Sequence, residues 1–135
     1  MFKKLANNLR APENLLWIDC TAGALVGVVV LLFTAQLSHL QALPHTLLLF
    51  MGAANLLYAS FSFFLATRNQ RPMPLIKLLV VANSFWSLVC VCLAVAYANT
   101  ATLFGLAHLI AEAIFVGSLA AQEWKWRALL LQRNA

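Results

Sequence analysis

Charge is what this sequence has least of. Nine Lys and Arg and four Asp and Glu are spread over 135 residues, 10% of the chain, where a soluble domain carries ~25%. From Asn14 to Thr67 the only charged residue is Asp19, and from Leu78 to Gln122 the only one is Glu112. Such stretches exclude a soluble globular domain with a water-facing active site, and they exclude nucleic-acid binding. Proline is scarce too, and Pro12, Pro44, Pro72 and Pro74 all lie at or before the start of apolar runs, so proline kinks are excluded. Three cysteines, Cys20, Cys90 and Cys92, are odd in number and lie in apolar runs without a CxxC spacing, which excludes a disulfide framework. Met51, Cys90 and His108 fall near one depth as soft ligands would, but without a ligand motif they read as packing residues. His45 and His108 differ in depth by ~7 Å, too far for paired haem ligation without strong tilt. No cofactor and no metal are expected.

What is abundant is apolar surface, at 63% of residues. A membrane-spanning helix needs about 20 apolar residues. Four runs meet that length, about residues 15–37, 44–66, 74–97 and 101–122, separated by the turn signals Ser38 to Pro44, Arg68 to Pro74 and Ala98 to Thr100. The expected fold is all-α, one integral-membrane four-helix bundle over residues 1–135. The first run, at about 23 apolar residues, outlasts the 7–15 of a signal-peptide core and is expected to be retained.

Every Lys and Arg falls in one of three places: the amino terminus (Lys3, Lys4, Arg10), the middle loop and its edge (Arg68, Arg71, Lys77) or the carboxy terminus (Lys125, Arg127, Arg133). Four spans put all three on one side, which the positive-inside rule makes cytoplasmic. The expectation is therefore N-in and C-in, multi-pass, in a cell's inner (plasma) membrane. The net charge of +5 follows from this asymmetry and from attraction to anionic lipid. Phe2, Leu5 and Leu9 at helical spacing beside Lys3, Lys4 and Arg10 suggest a short amphipathic interfacial helix. Trp124 and Trp126 alternate with Lys125 and Arg127 as an aromatic belt does.

Few polar residues interrupt the spans. Counting ~1.5 Å per residue from the cytoplasmic side places Asn83 ~14 Å deep, Glu112 ~15 Å, Asn55 and Trp86 ~18 Å and His108 ~21 Å, one layer near the midplane. Glu112 and His108 are i, i+4 and share a helix face. An ionisable residue at that depth is expected to face the bundle interior and find partners. This layer is the candidate ligand- or proton-binding site, and its plainer reading is hydrogen-bonded glue between helices. Asp19, ~7 Å deep, and Lys77, ~5 Å, are a candidate ion pair between the first and third spans. Gly23 and Gly27 form a GxxxG pattern that admits another backbone at close range. Residues 52–56 (GAANL) and 105–109 (GLAHL) share G, A and L at an offset of 53, which would make Asn55 and His108 counterparts in two helical hairpins.

No constellation with catalytic spacing is present, so a non-enzymatic accessory or structural membrane protein is the first reading. The alternative is a proton-linked or polar-solute transporter using Glu112 and His108. Partners follow from the class: the bilayer, and a second copy or another membrane protein. Four short spans with an intramembrane glutamate resemble the small multidrug resistance transporters in outline. Those carry the glutamate on the first helix and this chain carries it on the fourth, so neither family nor site residues follow from the likeness.

Overall fold

A hydrocarbon environment leaves a backbone no partner but itself, and the described residues, 15–131, are helical nearly throughout in the computed structural model. The helices are α1 (Leu15–Leu32), α2 (Thr34–Gln41), α3 (His45–Ala66), α4 (Met73–Ala96) and α5 (Leu103–Lys125), followed by a 3-10 turn at Leu129–Leu131. The interfacial helix expected over residues 1–10 lies outside the described residues. Four helices, α1, α3, α4 and α5, are long and apolar enough to cross a membrane.

Two boundaries differ from those expected. The first span does not run straight to Leu37, because it breaks at Phe33 (φ −113°, ψ 28°) and resumes as α2. No proline causes this. Thr34 turns its hydroxyl back to the carbonyls of Val30 (2.7 Å) and Leu31 (2.9 Å), a competition with the backbone ladder that bends helices. The expected turn from Ser38 shrinks to Ala42–Pro44, where Ala42 takes a left-handed conformation. Ser38 instead bonds the Leu43 carbonyl at 2.6 Å. The fourth span starts later and ends later than expected, with Thr102 capping α5 through Gly105 N–H (3.2 Å) and the helix continuing to Lys125. Glu123 thereby joins the membrane helix.

The bundle is two close pairs, α1 along α3 and α4 along α5, while α1 and α5 touch only slightly. Small residues make the pairs close. A Cβ at Gly23 would stand 3.1 Å from the Asn55 carbonyl oxygen, and one at Gly27 would stand 2.9 Å from Leu56 Cγ and 3.0 Å from the Gly52 carbonyl oxygen. The GxxxG face of α1 is thus spent inside the chain, on α3. In the other pair Ser87 donates to the Ala113 carbonyl at 2.7 Å, beside Gly117.

Two apolar clusters fill the bundle ends. One gathers Leu15, Leu16, Leu65, Ile76, Leu79 and Leu119 at the end bearing Arg71 and Lys125, and the other gathers Val30, Leu48, Met51, Cys90 and Leu109 at the far end. Arg71, buried, closes the first: its guanidinium donates to the carbonyls of Leu65, Ala66 (3.2 Å) and Leu130 (2.9 Å), and its backbone N–H to Leu131 (2.7 Å). The loop between α3 and α4 and the carboxy-terminal turn are thereby fastened together. Outside, Leu25, Leu57, Val81, Phe85, Leu103 and Ile114 are exposed, a surface too apolar for water and suited to lipid chains.

Gly27→Leu is expected to force α1 off α3 and lower stability by about 2 kcal/mol, the usual cost of overpacking. Thermal unfolding in micelles checks this; an unchanged midpoint would mean that the contact carries no packing energy.

Candidate functional site

The polar residues expected in one midplane layer form two tiers. In the upper tier Glu112 of α5 is the centre. Asn55 Nδ2 of α3 and Trp86 Nε1 of α4 each donate to Glu112 Oε1 at 2.9 Å. Two donors converging on Oε1 fill the acceptor sites of that oxygen and leave Oε2 to face His108. His108 Nε2 lies 3.3 Å from Glu112 Oε2, one helical turn away, but that oxygen has no hydrogen bond of good geometry among the described residues. The other ring nitrogen of His108, Nδ1, meets Gln41 Oε1 at 3.1 Å. An imidazole between two acceptors has a place for a second proton. Asn55 and His108, the counterparts suggested by the sequence echo, both end beside Glu112.

Asn83 belongs to the lower tier. It lies one turn nearer the charged end than Trp86, and the longer α5 brings Glu123 opposite it. Asn83 Nδ2 donates to Asp19 Oδ2 of α1 (3.0 Å) and to Glu123 Oε1 of α5 (3.1 Å). This corrects the expected ion pair: among the described residues no Lys or Arg pairs with Asp19, and Lys77 is exposed. A side chain as long as lysine reaches the headgroups by snorkelling, whereas Asp19 points inward and is 5% exposed.

Between the tiers lies a cavity of about 220 Å³, walled by Asp19, Asn55, Asn83, Trp86, His108 and Glu112 together with Gly23, Tyr58 and Phe115. Of its lining residues, Val26 on α1 and Ala111 and Phe115 on α5 are exposed, so it opens between α1 and α5, which touch only slightly. Trp86 is steadied by tilted ring contacts with Phe50 (centroids 5.9 Å) and Tyr58 (6.1 Å), and Tyr58 Oη donates to the Ala82 carbonyl at 3.2 Å. Among the described residues no three His, Cys, Asp or Glu side chains converge as metal ligands. Cys90 is buried in the far apolar cluster with Met51.

Sequence reasoning missed three members: Glu123, Ser62 and Gln41. Glu123 follows Glu112 by eleven residues, three helical turns and about 20° from the same face, a signal hidden by the neighbouring Trp124 and Lys125. Gln41 sits in what reads as a turn, and a lone serine in an apolar run carries no signal.

Glu112→Leu strands the Asn55 and Trp86 donors in an apolar interior and is expected to cost about 2–4 kcal/mol. Glu112→Gln retains an acceptor oxygen and is expected to cost about 1 kcal/mol or less. Equal losses in the two variants, measured by unfolding in micelles, would show that these hydrogen bonds contribute nothing.

No protein family, curated protein or solved structure matches this chain.

Proposed function

We propose that the chain is a multi-pass protein of a plasma (inner) membrane, its basic segments on the cytoplasmic side, that binds a small cationic solute in its interior and exchanges a proton through Glu112 and His108. The carrying observation is the cavity of about 220 Å³ with that pair in its wall. At ~30 Å³ per water such a space holds about seven waters or one small molecule, below the 300–1,000 Å³ of drug-sized pockets. Its wall carries the carboxyl groups of Asp19 and Glu112 and no Lys or Arg, which favours a cation. Trp86, Tyr58 and Phe115 add aromatic side chains to the wall, which suits an organic cation. Because Glu112 and His108 are adjacent, a cation binding at the carboxylate competes with the proton that the pair holds.

A second reading, an accessory protein whose Glu112 only ties helices together, is favoured by one observation. Oε1 bridges Asn55 of one helix pair and Trp86 of the other.

Proteoliposomes with an entrapped pH dye separate the two. Benzyltrimethylammonium is permanently charged and leaks no free base, and its inward gradient is expected to drive proton movement in wild type and at least tenfold less in Glu112→Gln. A wild-type response equal to that of empty liposomes, or an unimpaired Glu112→Gln response, would overturn the transport reading and leave the accessory one.

The orientation is supported by the fastening of the Arg71 loop to the carboxy-terminal turn, which gathers Arg68, Arg71, Lys125 and Arg127 at one end. In a background without native cysteines, Asn99→Cys is expected to react with an impermeant thiol reagent from outside the cell, and Asn69→Cys only after permeabilisation. The reverse pattern would invert the topology.

A further inference from the structure

The lower tier does not take part in the exchange just described, and its chemistry is unfinished. It draws one side chain from every span: Asp19 from α1, Ser62 from α3, Asn83 from α4 and Glu123 from α5. All four are buried, at 5%, 0%, 2% and 0% exposure. The two carboxyl groups meet on the amide of Asn83, whose Nδ2 lies 3.0 Å from Asp19 Oδ2 and 3.1 Å from Glu123 Oε1, so they are neighbours across a single nitrogen. Carboxylates only accept hydrogen bonds, so two of them side by side lack a hydrogen. Two further atoms here are unfinished: Glu123 Oε2, an acceptor, and Ser62 Oγ are buried without a hydrogen-bond partner among the described residues.

Among the described residues the cations at this end are engaged elsewhere or exposed: Lys77 is exposed and Arg68 lies over the Phe64 ring at 5.0 Å. Lys125 lies over the Trp126 ring at 5.1 Å and Arg127 over Trp124 at 4.0 Å. Arg71 holds the carbonyls of Leu65, Ala66 and Leu130. The remaining titratable neighbour is Cys20, next to Asp19 on α1. Two uncompensated negative charges on neighbouring buried carboxyl groups are strongly disfavoured, and a single proton between paired carboxyl groups is the smallest remedy.

We propose that Asp19 and Glu123 form a second proton-binding site, one proton shared between their carboxyl groups and held in place by Asn83 and Ser62. Uptake makes one O–H bond on the pair, breaks one in the hydronium ion that delivers the proton and leaves water behind, and lowers the charge of the pair from two negatives to one. The shared O–H then supplies the hydrogen bond that the two acceptors lack. Asp19 also lines the cavity, so the site lies in its wall, but it requires no solute and stands whether or not the protein transports one.

Replacing either acid by its amide puts an N–H where the shared O–H stood, at the same net charge and without titration. Wild type, Asp19→Asn and Glu123→Gln are compared by reversible unfolding in mixed micelles over roughly pH 5.5–7.5, where unfolded carboxyl groups are ionised. The folding constant of wild type relative to each variant is expected to fall about tenfold per pH unit as pH rises, the signature of one proton taken up on folding. His108, Glu112 and Cys20 are common to all three proteins and cancel. A ratio that stays flat overturns the proposal, as does one that follows sodium concentration instead of pH, since a metal ion would then occupy the site.

Should the variants not fold, infrared spectroscopy of wild type decides. Asp19 is the only aspartate in the chain, so carbon-13 aspartate labels it alone. The label is expected to shift a protonated-carboxyl stretch at neutral pH that base removes; a label confined to carboxylate bands overturns the proposal.

Discussion

Three carboxyl groups, those of Asp19, Glu112 and Glu123, are buried among the spans, and the rest of the bundle is arranged around satisfying them. A charge in hydrocarbon is tolerated only with partners, and hydrogen bonds to charged groups contribute about 1.5–3 kcal/mol each when they replace those to water. Glu112 draws donors from α3 and α4. Asp19 and Glu123 draw on one amide of α4. Two of these bonds, Asn55 to Glu112 and Asn83 to Asp19, cross between the helix pairs, so the acids help specify how the pairs face one another while apolar packing supplies only non-directional contact.

Within each pair the reverse holds. Gly23 and Gly27 let α1 lie against the backbone of α3, and the Ser87 hydroxyl meets the α5 backbone directly. In a bilayer no hydrophobic effect drives helices together, because lipid tails are as apolar as leucine. Close van der Waals contact therefore has to do it, and small residues are the means. Close pairs joined by a polar seam leave the seam imperfectly filled, which is where the cavity lies.

The span count and the polar candidates were legible because uncharged runs of twenty residues and isolated acids within them admit few other readings. Glu112, His108, Asn55 and Trp86 meet as depth counting places them. Depth counting failed where it took the helix ends as fixed. Glu123 falls just beyond the expected end of the fourth span at residue 122, although α5 continues through it to Lys125, so its meeting with Asn83 is not visible from depth. The break at Phe33 was invisible because Thr34 bends the helix through a local hydroxyl bond that composition does not mark. Asp19 and Lys77 share a depth, but depth alone does not say which way a side chain points.

The two-pair arrangement also bears on how the chain is made. Synthesis delivers α1 and α3 to the membrane before α4 and α5 exist, and that first hairpin closes on its own glycines. At that moment Asp19 lacks Asn83 and Glu123 and Asn55 lacks Glu112, and these polar atoms face lipid or whatever the insertion machinery provides. Only when Asn83 and Glu112 arrive is that exposure ended. A ribosome stalled before residue 83 would hold a half-protein that is well packed and badly solvated, a species that membrane quality control can distinguish from the finished one by its unpaired carboxyl group.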